Sequence, residues 1–179
     1  MKPLILSYNN KSPQIHPSAR IAPNATITGD VIIEEDVSIW FNVIIRGDVN
    51  QIRIGKASNI QDGVIIHSTR GKMDTILGDR TSVGHGAILH GCQTQGDCLI
   101  GMGATVIDDA IIETQVIIGA NALVTQGTVC KSGHIYTGSP AKVLKVIDKE
   151  KSRFYIEETS KAYIQYASKY PSFKSWIED

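Results

Sequence analysis

Aliphatic residues recur at every sixth position along most of this chain. The beat runs through Ile15, Ile21, Ile27, Ile33, Ile39 and Ile45, then resumes at Ile54, Ile60 and Ile66. It returns at Leu77, Val83 and Leu89 and continues through Ile100, Val106, Ile112, Ile118 and Val124. Four positions after most of these stands a small or short residue: Ala19, Ala25, Val31, Val37, Val43, Ser58, Val64, Thr81, Ala87, Ala104, Ala110, Val116 and Ala122. Turn formers such as Pro23-Asn24, Gly29-Asp30 and Gly78-Asp79 fill the spaces between. A period of six suits neither a 3.6-residue helix nor a long alternating strand. It suits a solenoid in which each hexapeptide supplies one short strand and one corner, three of them closing a triangular coil. The aliphatic residues then point inward and stack from coil to coil, and the narrow interior leaves room only for a small residue at the corner. An accidental spacing on a β-sandwich does not account for so many matches. The expectation is an all-β chain, a parallel β-helix over residues 1–141.

After Gly138-Ser139-Pro140-Ala141 the beat ends. Residues 142–179 are expected to form a C-terminal α-helix packed on the β-helix. Tyr155, Thr159, Ala162, Tyr163, Tyr166 and Tyr170 recur at helical spacings, predicting a helix from about Asp148 to Tyr170 that Pro171 ends. The tyrosine stripe reads first as a packing face, either on the chain's own coils or across onto a neighbour.

Two breaks in the beat carry the candidate chemistry. From Ile45 to Ile54 is nine positions, and from Ile66 to Leu77 is eleven. If both extras are loops extruded at corners, Ile45, Ile66 and Leu89 stack on one face. The polar residue after each, Arg46, His67 and His90, then points outward in one column, with rungs about 4.8 Å apart. Two imidazoles on adjacent rungs can converge on one ion, at Zn–N distances of about 2.0–2.1 Å. His85 follows Val83 on a different face and does not easily complete that site within one chain. A symmetric homotrimer brings the His85 corner of one copy to the His67/His90 face of the next. Three nitrogens leave a fourth tetrahedral position open, as catalytic rather than structural zinc sites do. Cys92 reads as a small packed residue instead of a thiolate ligand.

Charge and composition narrow the class further. Eighteen Lys+Arg balance eighteen Asp+Glu, without the basic excess of a general nucleic-acid binder or an anionic-membrane binder. The opening MKPLILSYNN lacks the long apolar run of a secretory signal, and nothing reaches the length of a membrane span. Three cysteines without CxxC spacing fit a reducing cytoplasm, so the localisation expected is cytoplasmic, with no nucleic-acid and no membrane partner.

Several stretches together resemble the γ-class carbonic anhydrase-like proteins of the compact bacterial type. They are Ile44-Ile45-Arg46-Gly47-Asp48, Asn59-Ile60-Gln61-Asp62-Gly63-Val64-Ile65-Ile66-His67, and Val83-Gly84-His85-Gly86-Ala87-Ile88-Leu89-His90-Gly91-Cys92. Weaker matches are Ile100-Gly101-Met102-Gly103-Ala104 and Gly138-Ser139-Pro140-Ala141, which hexapeptide acyltransferases share. The resemblance implies a left-handed winding, although parallel crossovers are ordinarily right-handed. It implies metal ligation by His67 and His90 from one subunit and His85 from its neighbour. It makes Arg46 and Asp48 a pair bridging subunits, with Arg46 also steering bicarbonate. Gln61 matches the residue that hydrogen-bonds the attacking hydroxide, Asp62 its neighbour in the site, and Tyr163 a tyrosine supplied by the C-terminal helix. The implied activity is zinc-dependent reversible hydration of CO2 to bicarbonate, and a three-histidine set also accepts Fe2+ or Co2+.

One departure bears on activity. Archaeal members carry an acidic loop after the first histidine ligand, with a proton-shuttling glutamate. Here that loop is Ser68-Thr69-Arg70-Gly71-Lys72-Met73-Asp74, short and basic, and Val49 replaces another acidic residue. Rapid hydration needs the proton carried away, so two further readings stay open. One is a non-catalytic or weakly active metal-binding protein. The other is an acyl-CoA transferase or thioesterase on the same fold.

Overall fold

The computed structural model describes residues 2–174. The chain is a left-handed parallel β-helix of about seven turns with one C-terminal helical element. Strands from successive coils pair in parallel and in the register the beat requires: Ile27 lies beside Ile45, Ile45 beside Ile66, Leu89 beside both Ile66 and Val106, and Val106 beside Val124. Every aliphatic beat residue from Ile21 to Val124 is buried, as are all thirteen of the small corner residues named above. Ile15, in the first coil, is partly buried and packs against that core.

The breaks resolve differently from simple loops. Strand Ile44–Ile54 runs unbroken around a corner beside strand Thr26–Ile33, and its three extra residues are absorbed as a bulge between the Gly29–Gly47 and Val31–Ile52 pairs. The 68–74 segment is a true excursion between strands Ile65–His67 and Thr75–Leu77. A third irregularity lies between Leu89 and Ile100, where the aliphatic mark is missing. Thr94 occupies the place, stacked between Leu77 and Ile112. A buried hydroxyl needs a partner, and Thr94 Oγ1 lies 2.8 Å from Thr81 Oγ1 and accepts the Gly78 N–H at 3.0 Å. The beat also extends further than the aliphatic residues do, to Cys130 beside Ile112 and Tyr136 beside Ile118.

Residues 142–146 are not helical. Strand Lys142–Val146 folds back antiparallel on His134–Thr137 and ends the stack. The helical element follows as Lys149–Ser152, a π-helical Arg153–Glu158 and the α-helix Thr159–Ser168, then a 3-10 turn at Pro171–Lys174. Residues 175–179, joined to this element by the sequence reading, lie outside the described residues. The element packs on the face formed by strands Ser38–Ile39, Asn59–Ile60 and Thr81–Val83. Its buried positions include Ile156, Ser160, Ala167 and Phe173, with Ser160 Oγ donating to the Ala57 carbonyl at 2.7 Å. Of the tyrosine stripe, Tyr163 and Tyr170 pack edge-on against Trp40 at 5.3 and 5.8 Å, Tyr170 keeping one side open to solvent, whereas Tyr155 and Tyr166 are exposed. The extra residue per turn of a π-helix rotates the phase, which a 3.6-residue reading misses by one position. No helix among the described residues is long and apolar enough to cross a membrane.

All three cysteines are free and buried in the solenoid. Burial pushes each thiol up to about 12. Because the thiolate is the reactive form, native protein at pH 8 is expected to react negligibly with a disulfide reagent. All three thiols should titrate once guanidinium unfolds the chain; rapid native labelling of one would contradict this packing.

Candidate metal centre

The β-helix places the three candidate histidines on two different faces. His67 ends strand Ile65–His67 and His90 ends strand Ile88–His90, paired rung on rung. Their inward neighbours Ile66 and Leu89 are buried, so alternation turns both imidazoles outward. The rings meet with Nδ1 of His67 3.2 Å from Nε2 of His90. Arg46 lies on the next rung, its NH2 3.3 Å from the same His67 Nδ1. Asp48 follows past Gly47, where the coils approach so closely that a Cβ would sit 2.6 Å from the Asp30 carbonyl oxygen. Asp48 Oδ2 accepts from Arg46 NH1 at 2.5 Å, and Oδ1 lies 2.9 Å from His67 Nε2. Partial burial acts to raise the Asp48 carboxyl, but the hydrogen bonds from His67 and Arg46 together outweigh it and hold it below the usual carboxylate range.

His85 stands apart, at the corner after strand Thr81–Val83. Its Nδ1 is 2.9 Å from Asp62 Oδ2. These two line a cavity of about 310 Å³ together with Trp40, Tyr163, Tyr166 and Tyr170. The Tyr163 hydroxyl is held above its ordinary value by burial first and by the nearby Asp62 charge second. Gln61 is buried beside this corner, donating from Nε2 to Asn59 Oδ1 at 3.0 Å, while Asn59 in turn donates to Ser82 Oγ at 2.7 Å. Thus one chain brings Arg46, Asp48, His67 and His90 together, and separately Asp62, His85 and Tyr163. Among the described residues of a single chain, no group of three His, Cys, Asp or Glu side chains is arranged to hold a metal.

Sequence reasoning missed one member. Asp108, on the coil after His90, sets Oδ1 3.3 Å from His90 Nδ1. Each of the three candidate histidines therefore carries a carboxylate on one ring nitrogen. The other two histidines show different contacts: His16 bonds Ser18 Oγ, and His134 faces the backbone carbonyls of Lys131 and Ser132. The signal for Asp108 was its distance from His90 of one full coil. Beside the histidine column runs a ladder of exposed apolar side chains, Ile44, Ile65 and Ile88, on paired rungs.

The donor set suits a first-row metal. Two ligand nitrogens on a tetrahedral ion at about 2.0–2.1 Å are about 3.3 Å apart, close to the separation of the facing His67 and His90 nitrogens.

Comparison with known proteins agrees with the fold and narrows the family. Residues 12–47 match the family described as Bacterial transferase hexapeptide (six repeats). Gamma carbonic anhydrase 2, mitochondrial, of Arabidopsis thaliana is 37% identical over 176 residues, 96% of this chain. The chain spans 63% of that relative's length. A carbonic anhydrase of Geobacillus kaustophilus is 39% identical over 171 residues, 96% of this chain and 93% of its own length. Among solved structures, a hexapeptide transferase family protein from Anaplasma phagocytophilum superposes with a TM-score of 0.90 at 36% identity, covering 95% of this chain and 99% of that one.

Proposed function

The chain belongs to the γ-class carbonic anhydrase-like family of hexapeptide-repeat proteins, and from that premise we propose that it is a zinc-dependent, homotrimeric catalyst of reversible CO2 hydration. In this reading each metal sits at a subunit boundary, held by His67 and His90 of one copy and His85 of the next. The observation that carries it is the pair of facing nitrogens 3.2 Å apart, with Asp48 on the far side of the His67 ring. A neutral imidazole that donates Nε2–H to a carboxylate keeps an unprotonated Nδ1, and that nitrogen faces His90. The exposed isoleucine ladder beside the column favours burial of this face against a second copy.

Zinc held there would lower the pKa of its water to about 7, making hydroxide available near neutral pH. The residues of the chain do the rest. Arg46, with NH2 3.3 Å from His67 Nδ1, draws the bicarbonate anion, while its hydrogen bond to Asp48 fixes its direction. Gln61 has its Nε2 committed to Asn59, which turns its amide oxygen to orient the attacking water. Trp40 and Tyr163 form the apolar wall along which CO2 approaches His85. The 68–74 loop offers no shuttle glutamate: Lys72 is paired with Asp109 at 2.8 Å, and Asp74 accepts the Gln51 N–H. Proton departure then depends on external buffer. The free buried thiols favour a reducing, cytoplasmic setting.

The test is elemental analysis followed by stopped-flow hydration at increasing buffer concentration. The expected result is one zinc per chain and a rate that rises with buffer. Metal without hydration would leave a non-catalytic metal-binding protein. The His85–Asp62 pair beside the cavity also has the arrangement of a general base and its orienting group, which favours acyl transfer as the second reading. Binding of coenzyme A with no stoichiometric metal would select it.

A further inference from the structure

We propose that Asp108 is the positioning residue that turns His90 toward the metal, and that it couples this orientation to the 68–74 loop; the inference rests on the metal-site reading above. A carboxylate accepting from Nδ1 fixes His90 in the tautomer whose Nε2 is unprotonated. That Nε2 is the nitrogen facing His67. Asp108 thus does for His90 what Asp48 does for His67, from the opposite end of the column.

The place of the carboxylate is built into the backbone. Gly91 adopts φ +57°, and a Cβ there would lie 2.2 Å from Asp108 Oδ1. Any side chain at position 91 collides with the carboxylate where it now sits. The corner is held from both coils: the Asp109 N–H donates to the Gly91 carbonyl at 2.7 Å, and the Gly127 N–H to the Asp108 carbonyl at 3.0 Å. The second carboxylate oxygen of Asp108 accepts from Thr69 Oγ1 at 3.3 Å. Lys72 of the same loop reaches Asp109, and Asn50 Nδ2 caps the carbonyls of Thr69 and Lys72. The short basic loop is therefore fastened onto the residue behind His90. It acts as a brace for a ligand, which gives it a role other than proton transfer.

The test compares Zn2+ affinity, by competition with a chelating indicator, for wild-type protein and for Asp108→Asn, Asp108→Glu, Gly91→Ala and Thr69→Ala. The visible spectrum of the Co2+ form and thermal unfolding of the metal-free form are read alongside. Outer partners of ligating histidines are worth about 10–100-fold in affinity, and Asp108→Asn is expected to lose that much and to shift the Co2+ bands. Gly91→Ala should behave alike, Thr69→Ala should lose less, and Asp108→Glu should recover part of the affinity. Metal-free Asp108→Asn should unfold as wild type does. Wild-type affinity and spectrum in Asp108→Asn would overturn the role of Asp108 and leave the metal centre standing. Failure of wild-type protein to take up either ion would overturn both.

Discussion

Alanine at His67 is expected to strip the metal from the protein while leaving the β-helix intact. The imidazole points outward, with its side chain 17% exposed. The strand that carries it is held by groups the substitution does not touch. Thr75 Oγ1 donates to the His67 carbonyl at 2.8 Å, the Gly91 N–H donates to the same carbonyl at 3.1 Å, and the fully buried Ile66 supplies the packing. What His67→Ala does remove is its hydrogen bond to Asp48 and its contacts with His90 and Arg46, a loss of about 1 kcal/mol that leaves the coil folded. Loss of one of three ligands should exceed the about 10–100-fold that an outer partner is worth, so zinc affinity should drop more than about 100-fold. Hydration should fall to the buffer rate. The neighbouring substitution Ile66→Ala should do the reverse. It empties a stacked core position at a cost of about 2–5 kcal/mol and reduces activity only through the fraction unfolded. Chelator competition and thermal unfolding on the two variants separate the cases. A His67→Ala protein that keeps zinc at wild-type affinity would remove His67 from the site.

The contrast between His67 and Ile66 also explains how far the sequence could be read. Inward positions repeat because each must fill the same slot between coils, so the beat located almost every buried aliphatic residue without any coordinates. Thr94 escaped because a hydroxyl satisfied by Thr81 and Gly78 can stand where an isoleucine otherwise would. Strand Lys142–Val146 escaped for another reason: all five of its residues are exposed, so no alternation between buried and open sides marks it. The helical element was legible in existence but not in phase, because the π-helical stretch Arg153–Glu158 changes the residues per turn. At the candidate centre, the rung-on-rung meeting of His67 and His90 followed from counting one coil past a single insertion. Asp108 required the same count carried one coil further, past His90. The separation of His85 from that pair was equally a matter of faces, and it leads to the most specific consequence of the proposal.

If each centre takes His67 and His90 from one copy and His85 from the next, two inactive variants should repair one another. A His85→Ala chain keeps an intact His67/His90 face, and a His67→Ala chain keeps an intact His85 corner. Each alone builds no complete site. In a closed three-fold ring every boundary is heterologous, one face against the other corner. A boundary is complete when a His85→Ala chain offers its face to the corner of a His67→Ala chain. With equal amounts reassembled at random, each of those two requirements is met half the time, so about a quarter of all boundaries are restored. Zinc content and hydration rate should therefore climb from background to about a quarter of wild type after the two proteins are unfolded together and refolded. Varying the mixing ratio should give a symmetric curve with its maximum at equal amounts. Sedimentation should find three chains throughout, since neither substitution touches the Ile44, Ile65 and Ile88 ladder. A site assembled within one chain predicts no recovery at any ratio, and a flat curve in a verified trimer would therefore disprove the shared centre.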